Sequence, residues 1–279
     1  MKITVLSGKG GTGKTTVATN LALSLDNIQF LDSDVEEPNS YIFIQPDFKE
    51  STVVNRRVPV IDKTKCTSCR QCVDFCEYNA LALLGDDVHL FAELCHSCGG
   101  CKHICPERAI TEEDRKAGEI KFDNEVKELQ FGQGELTIGE ASAIPVIEAL
   151  KENIDNDKNI IMDAPPGTTC PTIEAAVDAD YCILVTEPTP FGLHDLKMAV
   201  EVVRALDKSF GVIINRSDHD SDKIIEDYAE EEGISILLKI PFSRQIAQLY
   251  SNGTPFIEAM PEWENKFKDV FSKIKKVVE

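Results

Sequence analysis

The chain opens Met1-Lys-Ile-Thr-Val-Leu-Ser-Gly8-Lys9-Gly10-Gly11-Thr12-Gly13-Lys14-Thr15-Thr16. Lys2 to Leu6 carries the branched apolar run of a buried strand, and a helix is expected from Lys14 to about Leu25. Between them Gly8 to Thr15 fits G-x-x-x-x-G-K-[ST], a loop whose backbone N–H groups curl around phosphate oxygens at a helix N-terminus. The stretch therefore demands a strand–loop–helix unit in a parallel sheet. Gly8-x-Gly10-x-x-Gly13 also satisfies the dinucleotide fingerprint, with Asp32 at a suitable distance for a ribose. Lys14-Thr15 decides between them, because only a nucleoside triphosphate site needs an ammonium for the β/γ-phosphates and a hydroxyl for Mg2+.

Further on, short apolar strands alternate with amphipathic helices. Strands are expected at Ile28–Leu31, Tyr41–Ile44, Asn159–Met162, Tyr181–Thr186, Phe210–Ile214 and Ile236–Ile240, and a β-like stretch over Ala117–Phe131. Helices are expected at Ala141–Ile154, Thr172–Val177, Leu193–Leu206, Asp222–Glu231 and Glu262–Val277. This is an α/β fold with a mostly parallel sheet and helices on both faces. From about Ile61 to Ile110 the composition changes to dense cysteine. The expected organisation is one discontinuous domain, 1–59 and 113–279, interrupted by a small α+β insert at 60–112 whose cysteine repeat, Cys66-x2-Cys69-x2-Cys72-x3-Cys76 and again from Cys95, resembles that of a bacterial ferredoxin.

The insert is an internal repeat. Cys66-x2-Cys69-x2-Cys72-x3-Cys76 recurs 29 residues later as Cys95-x2-Cys98-x2-Cys101-x3-Cys105-Pro106. Three close cysteines wrap three corners of an iron-sulfur cube and the fourth reaches the other cube. Cys66, Cys69, Cys72 and Cys105 are thus expected to hold one [4Fe-4S] cluster, and Cys95, Cys98, Cys101 and Cys76 the second. Two zinc ribbons are the rival, but they pair C-x2-C units and do not need three evenly spaced cysteines plus a fourth. Glu77 stands where the first motif would carry proline. A purely structural staple would need one cluster, so two neighbouring, fully ligated clusters point to electron transfer.

Lys9-Gly-Gly-Thr-Gly-Lys14-Thr-Thr16 resembles the deviant P-loop of the MinD/ParA/nitrogenase-iron-protein superfamily, whose mark is the early lysine. The resemblance covers nearly the whole chain. It implies that Lys9 reaches a partner's nucleotide across a homodimer. It implies that Asp163-Ala-Pro-Pro-Gly167 is switch II, with Asp163 on Mg2+ beside Thr15 and Gly167 near the γ-phosphate. Asp32 and Asp34 resemble the superfamily's D-x-D pair, Asp34 positioning the attacking water. Asn215-Arg216 resembles its adenine contact, and Pro241 is expected to line the base pocket. Cofactors are thus ATP, Mg2+ and two [4Fe-4S] clusters, with Lys9, Lys14, Asp34 and Asp163 as the hydrolytic residues. The activity implied is ATP-gated electron transfer to a partner redox protein. An iron-sulfur carrier or assembly ATPase, and a MinD-like positioning ATPase with a redox-sensing insert, are the alternatives.

Two cysteines lie outside the repeat. Cys182 reads as a buried small hydrophobe, whereas Cys170, seven residues past Asp163, could be a bridging-cluster ligand or a simple helix start. The 48 acidic residues against 29 basic give a net charge of -19, which argues against a broad nucleic-acid surface. No apolar run of membrane-spanning length and no signal peptide are read, so a cytoplasmic location is expected, where ten cysteines mean metal or redox chemistry, not disulfides. The terminal helix, with Trp263, Phe267, Val270, Phe271, Ile274 and Val277 on one face, is expected to pack on the body and not to bind membrane.

Overall fold

A computed structural model describes residues 1–279. The elements in chain order are β1 (Lys2–Leu6), α1 (Lys14–Leu23), β2 (Ile28–Asp32), α2 (Tyr41–Ile44), β3 (Ser51–Ile61), α3 (Gln71–Phe75), β4 (Leu81–Leu84), β5 (Asp87–Leu90), α4 (Gly100–Ile104), β6 (Ile110–Val126) and β7 (Leu129–Leu136). There follow α5 (Ile144–Glu152), β8 (Asn159–Asp163), α6 (Cys170–Ala176), β9 (Tyr181–Thr186), α7 (Pro190–Ala205), β10 (Ser209–Ser217), α8 (Lys223–Glu231), β11 (Ile236–Pro241), α9 (Arg244–Ser251), α10 (Phe256–Ala259) and α11 (Glu262–Val278).

Nine strands form one sheet in the order β11-β10-β9-β1-β8-β2-β7-β6-β3. From β11 to β7 every pairing is parallel, and β6 and β3 add an antiparallel edge. Strand side chains alternate between faces, and both faces are apolar. Leu31, Ile160, Met162, Cys182, Leu184, Val212 and Ile214 pack under α5, α6, α7 and α8. Ile3, Val5, Ile28, Phe30, Ile161, Ile183 and Ile213 pack under α1, α10 and α11. Burial on both sides is why these strands read as continuous Val/Ile/Leu runs. The inner face of α11 buries Trp263, Phe267, Val270 and Ile274 in that second core. No helix is long and apolar enough to cross a membrane.

Tyr41–Ile44, expected as a strand, is the helical turn α2. The Asp32 carboxylate accepts from the backbone N–H groups of Asn39 (3.1 Å) and Ser40 (2.9 Å), which turns the chain back before it can extend. Phe43 and Ile44 then go inward while Tyr41 and Ile42 face out, and Gln45 ends the turn in the left-handed region.

The edge ribbon was missed in sequence at Ser51–Ile61, a strand of mixed polar and apolar residues. It pairs with β6 from Ser51↔Lys121 to Ile61↔Ile110. Since β6 leaves β7 at Gly118↔Leu136, its first eight residues run on past the carboxyl end of β7. At about 3.3 Å per residue the ribbon projects roughly 26 Å. Residues 62–109 sit at its tip: α3 and α4 contact each other, and β4 and β5 form a separate hairpin.

Candidate functional site

The register of the parallel strands sets the site. Val5 pairs with Asp163 and Asp32 pairs with Asp163, so both acids reach the carboxyl edge of the sheet at one level, beside the loop that follows β1. Ligands of open α/β sheets bind at this edge. Gly13 starts α1 from the left-handed region, φ 89°, and a Cβ there would lie 2.1 Å from the Asn215 Nδ2. Both facts strongly favour glycine there. Gly8 is as tightly held, since its Cβ would meet the Asp195 carbonyl oxygen at 2.1 Å. Gly10 and Gly11 form the exposed rim of the loop.

Lys14 is buried and its Nζ donates to Asp163 Oδ1 at 2.8 Å, with Asp34 Oδ2 at 3.9 Å. Burial pulls its pKa down, but the charges of Asp163 and Asp34 outweigh that and hold it above the usual lysine value. The acids feel the opposite pressure. Burial, then the nearby Asp163 charge, pushes Asp32 up to about 7, although the Ser40 N–H holds it down in part. Burial pushes Asp34 up to about 6 against the pull of Lys14. Three buried carboxylates thus surround one ammonium, a surplus of negative charge that a divalent cation would neutralise. Ser40 Oγ reaches Asp163 Oδ2 at 3.5 Å, and Ser33 Oγ donates to the Asp163 carbonyl at 2.8 Å.

Asn215 and Arg216, at the end of β10, touch the loop directly. Asn215 Nδ2 donates to the Thr12 carbonyl at 2.7 Å, and an Arg216 terminal nitrogen to the Gly11 carbonyl at 3.3 Å. In a trans peptide the N–H points opposite to the C=O, so tying these carbonyls outward turns the next N–H groups into the loop. Arg216 is also paired with Glu187 at 3.0 Å. A cavity of about 260 Å3 opens beside them, lined by Gly11, Gly13, Thr16, Asn215, Arg216 and Pro241 together with Phe242, Ser243, Ile246, Ala247 and Tyr250. The last five belong to a turn and to α9, a short helix that sequence reading passed over. Its one signal is Ser243, whose Oγ caps the Ile246 N–H.

Lys9 lies half-exposed with its Nζ 3.6 Å from Asp195 Oδ2 on α7 of the same chain. Gly167 takes φ 90° and its N–H donates to the Ser7 carbonyl at 2.9 Å, which ties the Pro165-Pro166-Gly167 turn to the phosphate loop. Cys170 is exposed at the start of α6, and Cys182 is buried in β9, its thiol pushed up to about 12 by burial.

Seven of the eight repeat cysteines lie in two neighbouring groups. Cys76, Cys95, Cys98 and Cys101 line one cavity of about 390 Å3, with Phe75, Tyr78 and His96 at its wall. The Tyr78 and His96 rings stack at 3.8 Å. Cys66, Cys72 and Cys105 pack around Leu81, Val88 and Ile110, against which Cys101 also lies, and Cys69 is exposed. The backbone repeats with the cysteines: Ser68 and Ser97 (φ 54° and 57°), Arg70 and Gly99 (65° and 70°), and Asn79 and Arg108 (53° and 50°) are all left-handed. Non-glycine residues rarely adopt this conformation, so its recurrence at matched positions marks one local fold used twice. No three Cys, His, Asp or Glu side chains converge as ligands of a single ion would. Arg56, which sequence reading missed, is buried beneath the group that contains Cys95 and donates to the Cys95 carbonyl at 2.9 Å.

Residues 3–256 match the CobQ/CobB/MinD/ParA nucleotide binding domain. The chain is 31% identical over 267 residues to an uncharacterised protein of Methanocaldococcus jannaschii, covering 92% of each. It is 24% identical to an iron-sulfur cluster carrier protein of Pyrococcus horikoshii, covering 96% of this chain and 87% of that one. Among solved structures, the septum site-determining protein MinD of Pyrococcus horikoshii, complexed with Mg-ADP, superposes with a TM-score of 0.62 at 18% identity, covering 99% of this chain and 96% of that one. The likeness to MinD shows a shared fold, and the match along residues 3–256 establishes that this chain belongs to the CobQ/CobB/MinD/ParA family of P-loop nucleotide-binding domains.

Proposed function

We propose that the protein binds and hydrolyses ATP with Mg2+ and uses the nucleotide cycle to gate electron transfer from two [4Fe-4S] clusters to a partner redox protein. The observation that carries this reading is the cavity of about 390 Å3 walled by Cys76, Cys95, Cys98 and Cys101. That set takes three cysteines from one motif and the fourth from the other, as paired clusters require. The donor set and the room suit a cube whose irons each take one thiolate. Cys66, Cys69, Cys72 and Cys105 would hold the other. The clusters would supply one-electron donors and acceptors. In this reading 60–112 is a ferredoxin-like insert in an ATPase domain of 1–59 and 113–279.

The chain's own residues have the following roles. Lys14 leaves Asp163 for the β/γ-phosphates, which frees Asp163 and Thr15 for Mg2+. Asp34 orients the attacking water. The Gly167 N–H exchanges the Ser7 carbonyl for a phosphate oxygen and moves switch II when that oxygen departs. Asn215, Arg216 and Pro241 bound the base pocket. Lys9 exchanges Asp195 for a nucleotide across a nucleotide-dependent homodimer.

The test is anaerobic. The purified protein should carry eight irons per chain, hydrolyse ATP at a rate that depends on cluster oxidation state, and show nucleotide-dependent cluster potentials. Hydrolysis blind to redox state, with potentials and electron-transfer rates indifferent to ATP, would sink the reading. A carrier role is the second reading, favoured by relatives named iron-sulfur cluster carrier protein at 23–25% identity. ATP-dependent transfer of iron and sulfide to an apo-ferredoxin would select it.

A further inference from the structure

The guanidinium of Arg56, on β3, is buried and makes four hydrogen bonds. It donates to the Glu140 carboxylate, to the Cys95 carbonyl at 2.9 Å, to Ser97 Oγ at 3.2 Å and to the Ala92 carbonyl at 2.7 Å. Three of these acceptors lie in the segment 92–97 that bounds the cysteine cavity. The fourth, Glu140, belongs to the loop between β7 and α5, and its side chain is 1% exposed. Arg115, directly across the ribbon from Arg56, donates to the other Glu140 oxygen at 2.7 Å. One buried carboxylate is therefore gripped by both strands of the ribbon.

The same loop is anchored to the nucleotide site. The Leu136 N–H, at the end of β7, donates to the Val35 carbonyl at 2.8 Å, and the Glu140 N–H donates to the Thr137 carbonyl at 3.1 Å. Val35 follows Asp34 in the chain. Isolated buried ion pairs add little stability because desolvation offsets attraction, and their best-attested use is to fix one arrangement. This one joins the ribbon, the loop after β7 and the segment 92–97, which lie far apart in the chain.

We propose that Arg56 and Glu140 are positioning residues that carry the state of the Asp34 segment to the backbone around Cys95. The group around Cys66 packs on Ile61 and Ile110 at the ribbon tip but has no such buried ion pair. Nucleotide binding should therefore alter the cavity lined by Cys95 selectively. The proposal rests on the reading of Asp34 as the residue that meets the nucleotide's attacking water, but not on clusters being present.

The experiment is hydrogen–deuterium exchange on the full chain, with and without a non-hydrolysable Mg-ATP analogue, alongside an iron count. In the wild type the analogue should change exchange at residues 92–98 and leave residues 63–70 unchanged. In Glu140→Gln that response should vanish while analogue affinity is retained. Because Glu140→Gln strands a buried guanidinium, the double variant R56M/E140Q, which leaves no unpaired buried charge, is run in parallel and should lose the response equally. A wild type with no response at 92–98, or either variant that keeps it, overturns the proposal. A low iron count with the response intact would reject the cluster reading and leave the coupling standing.

Discussion

Asp34→Asn should stabilise the nucleotide-free protein while abolishing hydrolysis. Burial and the Asp163 charge hold the Asp34 carboxyl at about 6, against an ordinary value of 3.8. The native state therefore favours the protonated form. The stability this group contributes is fully present below about pH 4 and is lost as pH rises through about 6. Holding the carboxyl at about 6 instead of 3.8 gives the charged form a native-state penalty of about 3 kcal/mol above pH 6. Asparagine keeps the shape and drops the charge. Lys14 loses an anion only at 3.9 Å and keeps Asp163 at 2.8 Å, so most of the penalty should be recovered. Asp32 is a poorer choice, although it is pushed further, because it accepts from the Asp34, Asn39 and Ser40 N–H groups, and an amide cannot accept them all.

Thermal unfolding without nucleotide should thus show Asp34→Asn melting about 4–6 °C higher at pH 8, at roughly 2 °C per kcal/mol for a chain of this size. The advantage should fall by about half at pH 5 and vanish near pH 4. Saturating Mg-ATP should narrow the gap at pH 8, because the cation relieves the wild-type repulsion and ligand binding adds its own stabilisation. A variant that melts lower at pH 8, or whose advantage ignores pH, would refute the view of this cluster as an anionic pocket held for function at the expense of stability.

Lys14→Ala should remove ATP binding by calorimetry and destabilise the fold by about 3–5 kcal/mol, since it strands buried carboxylates; visible absorbance from the insert should survive. Gly13→Ala forces a Cβ into Asn215 at positive φ, so nucleotide affinity should fall at least tenfold and stability by about 1–2 kcal/mol or more. Phe267→Ala opens a cavity in the core beneath α11 and should cost about 3–5 kcal/mol in denaturant unfolding. Cys76→Ser should halve the iron and perturb the spectrum of the cluster otherwise held by Cys95, Cys98 and Cys101, not the other; loss of both signals together would contradict the crossed ligand sets.

The parallel core was legible because β1, β8, β9 and their neighbours are buried on two faces, which leaves an unbroken apolar signature. The phosphate loop was legible because glycine and lysine are required there by geometry. The edge was not. In β3 the order Asn55-Arg56-Arg57-Val58-Pro59 reads as a loop, and it becomes a strand only through eleven residues of pairing with β6. Arg56 gives no sign of burial until that pairing brings Glu140 and the Cys95 carbonyl to it. Tyr41–Ile44 failed for the complementary reason: four apolar residues suit a strand or a helical turn equally, and a hydrogen bond from Ser40 to Asp32 chose the turn.

The topology also limits how the two sites could communicate. Four strand spacings separate β1, which carries the phosphate loop, from β6, or roughly 19 Å across the sheet. The ribbon then carries the cysteines beyond the sheet edge by up to roughly 26 Å more. At physiological ionic strength charge is screened over about 8 Å, so the charge of bound ATP has little direct influence at the cysteines. Coupling must run through contacts that change position. Because β3 and β6 extend from the carboxyl end of the parallel strands, a shift at Val35 reaches the ribbon base through one hydrogen bond to Leu136. An insert placed in any loop at the opposite end of the sheet would lack that path, which gives a physical reason for the cysteine repeat to lie between β3 and β6.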